Sequence, residues 1–561
     1  MQSNKLKSIY NFLVYLAIFL LLNIVGAYLF TTFDLTEDKR FSITEPTKKL
    51  LQNLDEDVLI KIYLDGELPA GVKRLQKSTI ELLDGFRNQS SRIEYVIENP
   101  LGGTVEENNS AKKFLAERFI FPNNLIVKGA EENRELLFYT YANITYKGRN
   151  VPVNLVAKEG GALTDYDINN SINLLEYKFA DAIHKLSTGI KPTIAFTRGH
   201  GELQEIQIQE FRNAVSNRYR VGYYNMDSTT HIDKNLDMLI IAKPTQPFPI
   251  AHKFQIDQYI MNGGKVMWLI DKLAINLDSL RRSPRVVVQE FPLDIDDLLF
   301  QYGARIQPDL LMDLQSTQIE LKIDEKGTLD KFDWQFHPVV TPQNDHPIIK
   351  SLDGVNLYFP NTIDTIRTKS YVKKTPILMS TENTIVRRTP MQLSFDILRN
   401  VPPADRWNKG KKNLGLLLEG TFDSEYVGRV TTEMNDILQN INQPFKGQSP
   451  ETKMLVVSDG DIIKNLIIPQ NNKTLPLGYN QWSGYTFANE NFLINSIEYM
   501  LDDVNLFAAR GKEVKLRRLN NKKASEERGF WQMLNILVPL ILLALFGIGF
   551  TLLRRRKYNT Q

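Results

Sequence analysis

The sequence contains no cysteine. Disulfides, thiolate metal sites and cysteine nucleophiles are therefore excluded together. It also lacks a P-loop with its Lys and Ser or Thr, a nucleophile elbow, and a His-Glu-x-x-His helix. None of the usual motifs for cradling a nucleotide, activating a serine or holding a catalytic zinc is available. An excess of one charge is missing as well. The 68 Lys and Arg stand against 65 Asp and Glu, for a formal charge of +3, so no global field marks a nucleic-acid binder. No internal repeat is evident. The 561 residues, 42% of them hydrophobic, are enough for about three or four globular domains.

Two long apolar runs stand out. Residues Ile9 to Phe30 carry no charge, about 22 positions, which at helical rise just crosses a hydrocarbon core. Phe530 to Leu553 behaves likewise. The first run exceeds a signal-peptide core and no small-x-small site precedes Asp34, which predicts a retained helix rather than a cleaved leader. Lys5 and Lys7 precede the first span, and Arg554, Arg555, Arg556 and Lys557 follow the second. The positive-inside rule then puts both tails in the cytoplasm and the body outside it. The basic segment Arg517 to Arg528 is diluted by Glu526 and Glu527. Small residues favour close helix packing in lipid, and Gly26 and Ala27 on the first span and Ala544, Gly547 and Gly549 on the second offer such faces.

The body reads as α/β. Ser42 to Glu45 has the form of a capping box, with Pro46 at the first helical position. A strand at Val58 to Leu64, a helix at Val72 to Phe86, a strand at Arg92 to Ile97, and β-rich runs near Asn124 to Val127 and Leu136 to Tyr146 predict a small α/β domain over residues 34–165. An apolar stripe at Ile168, Ile172, Leu175, Phe179, Ile183 and Leu186 predicts a helix bridging domains, residues 166–190.

From Thr193 strands alternate with helices: Thr193 to Thr197, Gln204 to Ser216, Met238 to Ala242, His252 to Met261, Lys265 to Ile270. That alternation predicts a doubly wound parallel sheet. Strand candidates at Pro376 to Met379, Leu414 to Leu418 and Met454 to Val457, and a closing helix at Glu490 to Leu501, complete a domain over 191–510. The stretch from about Thr328 to Pro376 reads as insertion or linker. A basic juxtamembrane linker, 511–528, the second span, 529–553, and a short tail, 554–561, follow.

The most motif-like run is Phe196-Thr197-Arg198-Gly199-His200-Gly201-Glu202, where a buried strand gives way to a helix. Ligands in such sheets bind at that edge, which makes Arg198, His200 and Glu202 the candidate binding residues. No second His or carboxylate lies at ligand spacing, so the structural reading leads: the glycines allow a tight turn and the side chains bond neighbouring loops. Asn262-Gly263-Gly264 reads as a helix-ending turn. Ser458, Asp459, Gly460, Asp461 and Asn465 have oxygens enough for a cation but not the spacing of a calcium loop, and helix capping by Asp459 or Asp461 is the simpler role. No metal, cofactor or catalytic residue is expected.

Taken in order, the Gly199 to Glu202 run, the Gly263-Gly264 turn, Ser458 to Asn465, Asn489 to Asn495, and Leu501 to Lys515 before a last helix ending in Arg554 to Tyr558 resemble the GldG family. These are gliding-motility-associated, so-called substrate-binding components of an ABC transporter. The resemblance implies an inner-membrane protein with a periplasmic α/β region, working beside a permease and a cytoplasmic ATPase. It also implies a central domain like the glutamine-amidotransferase-like or flavodoxin-like group, one member of which occurs in an intraflagellar transport subunit. The absence of cysteine removes the nucleophile of that group's enzymes. Three function classes are open: a non-catalytic transporter accessory, a structural scaffold of an envelope machine without transport, and a membrane-tethered hydrolase.

Overall fold

A computed structural model describes residue 10, residues 12–21 and residues 42–558, apart from 119, 129–132, 157–163, 190, 217, 229–230, 234, 284, 323–326, 351, 400–401, 441–443 and 512–520. The chain forms two compact units, Met1–Lys512 and Glu513–Gln561.

The first unit begins with helix α1 (Glu45–Gln52), strand β1 (Val58–Ile62), helix α2 (Ala70–Gln89) and strand β2 (Ile93–Ile97). Strands β3 (Tyr141–Tyr146) and β4 (Arg149–Asn154) and the long helix α3 (Asp165–Thr188) follow. The sheet order is β2-β1-β3-β4, with β1 and β2 parallel and the rest antiparallel. Alternation puts Val58, Ile60 and Ile62 inward. Val72, Leu75, Leu83 and Phe86 of α2 meet them, at spacings only a helix can place on one face.

The stripe expected on the bridging helix is real, and its place is in this small core: Ile168, Leu175, Phe179, Ile183 and Leu186 pack with β1 and α2. A capping box of Thr164 and Asp167 starts α3, and Gly189 at φ 68° ends it. The box expected at Ser42 does not form. The cap of α1 is Thr44, and its N–H and hydroxyl both donate to Glu176 of α3, each at 2.7 Å.

The second part of the unit holds β5 (Thr193–Arg198), α4 (Gln209–Ser216), β6 (Arg220–Asn225), β7 (Met238–Ala242), α5 (Ile250–Met261) and β8 (Lys265–Leu269). An antiparallel pair, β9 (Ser316–Lys322) and β10 (Leu329–Val340), comes next. Then β11 (Val372–Met379), β12 (Asn413–Gly420), β13 (Thr452–Val457) and α6 (Asn489–Leu501) complete it. Seven strands form one sheet in the order β11-β12-β13-β8-β7-β5-β6. From β6 to β13 every neighbour is parallel; β12 and β11 run antiparallel. All five residues of β7 are buried, the continuous apolar run that a strand covered on both faces requires. Separate hydrophobic clusters fill the two faces.

The stretch from Thr328 to Pro376 is no linker. Its β10 carries Trp334 and Phe336, fully buried with Phe359, and its end supplies β11 of the main sheet. The turn after α5 is as expected: Gly263 takes φ 95°, and a Cβ on Gly264 would lie 2.4 Å from the Tyr259 ring.

In the second unit α7 (Arg528–Tyr558) is long and apolar enough, from Arg528 to Arg556, to cross a membrane. It carries Ala544, Gly547 and Gly549, and among the described residues nothing beyond the helix's own neighbouring backbone lies within 4 Å of a Cβ placed on either glycine. Near the amino terminus Phe12–Leu21 is a shorter apolar helix. The remainder of that expected span, with Gly26 and Ala27, lies outside the described residues.

The small domain and the large sheet meet at one buried carboxylate. Glu498 of α6 accepts from Tyr177 of α3 at 2.9 Å, pairs with Arg218, and lies 3.5 Å from Arg510. Burial pushes its carboxyl up, but Arg218, Lys185 and Arg510 outweigh that and hold it below its ordinary value. Glu498→Gln should cost about 3 kcal/mol, because the arginines lose their charge partner. Tyr177→Phe should cost about 1 kcal/mol. Denaturant midpoints of the detergent-solubilised full chain, followed by tryptophan fluorescence, check this; a wild-type midpoint for Glu498→Gln would show that the junction contributes nothing.

Candidate functional site

Successive parallel strands deliver their carboxyl ends, and the residues that follow, to one edge of the sheet. After β5 the chain turns through Gly199 (φ 127°) and Gly201 (φ 70°), conformations that side chains rarely adopt. The His200 carbonyl accepts the N–H groups of Thr245 and Gln246 from the loop after β7, at 2.8 and 3.0 Å. A Cβ on Gly201 would lie 2.3 Å from the Thr245 hydroxyl. The two loops are thus laced together, and His200 is forced inward, where it is fully buried with its ring stacked on Phe248 at 3.6 Å.

Inside, His200 makes three polar contacts to two residues. Its N–H donates to Glu202 Oε2 at 2.8 Å, and its Nδ1 lies 3.1 Å from Glu202 Oε1. Its Nε2 lies 2.9 Å from Nδ1 of His252, on the first turn of α5. Beyond, His252 Nε2 faces Asp227 Oδ1 at 3.7 Å, from the turn after β6. Burial pushes the Glu202 carboxyl up, but hydrogen bonds from the His200 ring and backbone hold it below its ordinary value. Burial and the neighbouring His200 push His252 down.

Of the three candidates, His200 and Glu202 are brought together. Arg198 is not; its exposed guanidinium stacks over Tyr223 at 3.8 Å. Sequence reasoning missed His252 and Asp227. His252 is 52 positions from His200, and its signal was a polar residue at the start of an otherwise buried helix following a strand end.

A second cluster joins the ends of β7, β8 and β13. Lys243, at φ 55°, places its ammonium 2.8 Å from Asp271 and 2.5 Å from Asp461. Gly460 donates its N–H to Asp271 and must be glycine, since a Cβ there would lie 2.6 Å from Lys243 Cβ. Asp459, fully buried, accepts from the N–H of Tyr358 at 2.7 Å and of Asp461 at 2.8 Å.

Burial pushes Asp271 and Asp459 up. On Asp461 burial is outweighed by Lys243 and Lys464, which hold it below its ordinary value. Burial acts against the Lys243 charge, yet the two carboxylates hold its ammonium above the ordinary value. The capping expectation fails for Asp459, which accepts the N–H of Asp461 from one position before the cap of the short helix Asp461–Ile463, Gly460. It also fails for Asp461, whose charge goes to Lys243. The cation among these oxygens is the chain's own ammonium, and no group of three His, Asp or Glu among the described residues has metal-binding geometry. Nearby His337 is buried with neither ring nitrogen hydrogen-bonded among the described residues, and burial pushes it down to about 3, so it is neutral.

A family model described as an ABC-type uncharacterized transport system matches residues 191–496, and a model of a domain of unknown function matches residues 37–145. An uncharacterized protein of Borreliella burgdorferi is 21% identical over 469 residues, covering 79% of this chain and 84% of that one. Among solved structures, the mmIFT52 N-terminal domain aligns with a TM-score of 0.32 at 11% identity, over 55% of this chain and 97% of that one. An exo-beta-1,4-mannosidase from an Opitutaceae bacterium aligns with a TM-score of 0.23 at 9% identity, over 76% and 50%.

The Lys243 cluster sets a testable balance. Lys243→Met leaves Asp271 and Asp461 buried without a counter-charge and should cost about 3 to 5 kcal/mol; adding Asp271→Asn should return part of it. The raised Lys243 contributes stability that is complete below 10.5 and lost as pH rises past its folded value. The lowered Asp461 contributes above 3.8 and is lost as pH falls below it. Asp271 and Asp459 act oppositely on the acid side, because the native chain keeps protons the unfolded chain has lost. The wild-type minus Lys243→Met difference in unfolding free energy should therefore be present from about pH 7 to 9 and fall as pH rises past 10.5. A difference near zero in that range would mean the ammonium is dispensable.

Proposed function

The chain belongs to the ABC-type uncharacterized transport system family, and from that premise we propose that it is a non-catalytic, membrane-anchored auxiliary subunit assembling with a permease and a cytoplasmic ATPase. The observation that carries the non-catalytic reading is the closure of the sheet's carboxyl edge. Lys243 is held between Asp271 and Asp461, and His200 between Glu202 and His252, so the groups that could act as acid, base or nucleophile are engaged with one another. With no P-loop in the sequence, nucleotide hydrolysis falls to another subunit.

The finer reading is a GldG-family protein of a gliding apparatus, supported by the order of its motifs. The parallel strand order β6-β5-β7-β8-β13 supports a flavodoxin-like central domain within residues 191–510. The two family matches, on either side of α3, support a separate small domain within 34–165.

The proposed setting is the inner membrane, with two spans and residues 34–528 in the periplasm, supported by the basic flanks at Lys5, Lys7 and Arg554 to Lys557. The absence of native cysteine allows a direct check. Ser91→Cys, in the exposed turn after α2, should react with an impermeant thiol reagent in intact spheroplasts, and Thr560→Cys should not. The reverse pattern would overturn the orientation.

The partner reading rests on α7, whose small residues Ala544 and Gly547 lie one helical turn apart with open space beside Gly547. The full chain purified from its native membranes in mild detergent should bring a polytopic permease and an ATPase with it. Replacing Ala544 and Gly547 with Leu should reduce that yield while leaving membrane insertion intact. A chain that purifies alone, or one that cleaves a bond in a His200-dependent way while normally folded, would favour a scaffold or a hydrolase instead.

A further inference from the structure

The chain of contacts that begins at Glu202 ends one proton short. Glu202 is buried and held ionised by its hydrogen bonds, so it accepts, and the proton between it and His200 belongs to Nδ1 of the ring. With His200 neutral its Nε2 is bare, and His252 Nδ1, 2.9 Å away, is then the donor. That leaves His252 Nε2 without a proton, facing the Asp227 carboxylate at 3.7 Å. Two acceptors confront each other, too far apart for a hydrogen bond. A single proton on Nε2 converts this into an imidazolium–carboxylate pair.

We propose that Glu202, His200, His252 and Asp227 form a one-proton latch which, when His252 Nε2 is protonated, ties the turn after β6 to the first turn of α5. The charged groups acting on His252 come from both flanking elements. His200 and Glu202 lie on the loop after β5 and Asp227 on the turn after β6, while Phe248, stacked on His200, is uncharged. Burial and His200 oppose protonation; Asp227 and Glu202 favour it. The net direction is downward, so the latch closes on the acid side of the ordinary imidazole value of 6.5. The neutral form of His252 accordingly contributes native stability that is complete above 6.5 and lost as pH falls.

The geometry leaves room for closure. Gly199 sits under the Asp227 carboxylate, where a Cβ would come within 3.2 Å of Oδ2. The latch also borders an open groove of about 520 Å³, lined by Phe248, Ile250, Lys253, Asp294, Asp296 and Asp297. Phe248 stacks on the latch histidine, and Ile250, 63% exposed, shares the first turn of α5 with His252. Protonation inside is thereby read at the groove.

The chain has six histidines, few enough to follow each ring carbon by NMR in the detergent-solubilised full chain, with His252→Gln giving the assignment. The His252 ring carbons should move with a midpoint below 6.5. Asp227→Asn, at a side chain 66% exposed and so outside the core, should lower the proton affinity about threefold or more. Thiol labelling of Ile250→Cys in the cysteine-free chain should change rate at the same midpoint and shift with it in Asp227→Asn. A midpoint unmoved by Asp227→Asn, or a labelling rate flat across the titration, overturns the latch.

Discussion

A buried ammonium is costly to keep charged, and the arrangement of the large domain around Lys243 is the way that cost is met. The side chain leaves the end of β7 in a left-handed backbone conformation and is answered by carboxylates from the ends of β8 and β13. These three strands are consecutive in the sheet, so one charge fixes three loops. The dependence spreads outward from there. Asp271 also takes the Gly460 N–H, and Asp459 takes the N–H of Tyr358, which belongs to the segment between β10 and β11. That segment is drawn down over the strand ends, where parallel sheets usually present a crevice. The ligand-binding edge of the fold is thus covered by the chain's own polar groups.

A second buried charge serves the other end of the unit. Glu498 gathers Tyr177 from α3, Arg218 from the end of the α4 segment, and Arg510 beyond α6. Arg510 in turn donates to Asn495 at 2.7 Å, and its guanidinium lies 4.7 Å from the Phe507 ring centre. Because α3 also contributes Ile168, Leu175, Phe179 and Ile183 to the small core, this carboxylate links both hydrophobic assemblies through a single helix. Removing any one partner leaves the remaining charges desolvated, so the contacts stand or fall together.

Local patterning made much of the fold legible in the sequence. The continuous apolar run of β7, the stripe on α3 and the glycine pair after α5 each follow from a rule that acts over a few residues, and they are found where those rules place them. The failures are equally physical. Ser42 satisfies the capping pattern, but Thr44 has a tertiary partner in Glu176 and takes the cap. Residues 328–376 lack strong periodicity because β10 changes environment along its length, exposed at Leu329 and buried from Trp334 to Pro338. The candidate site was half visible. Glycines flanking His200 announced a constrained turn, whereas its partnership with His252 and the Lys243 triad depend on which strand ends become neighbours, and no local spacing records that.

The two polar clusters on this edge differ in one respect that governs what each can do. Around Lys243 the principal charges balance within the fold: its ammonium contacts the carboxylates of Asp271 and Asp461, Lys464 lies 3.6 Å from Asp461, and burial favours the proton on Asp459. Such a cluster fixes geometry, and changes in the medium reach it only at extremes of pH. The Glu202–His200–His252–Asp227 chain runs instead from a buried carboxylate to one that is 66% exposed. It contains an imidazole, the side chain whose charge changes near neutrality, at the point where the fold meets solvent. Rigidity is therefore concentrated at the covered strand ends and responsiveness at the switch between β5 and β7, beside the groove.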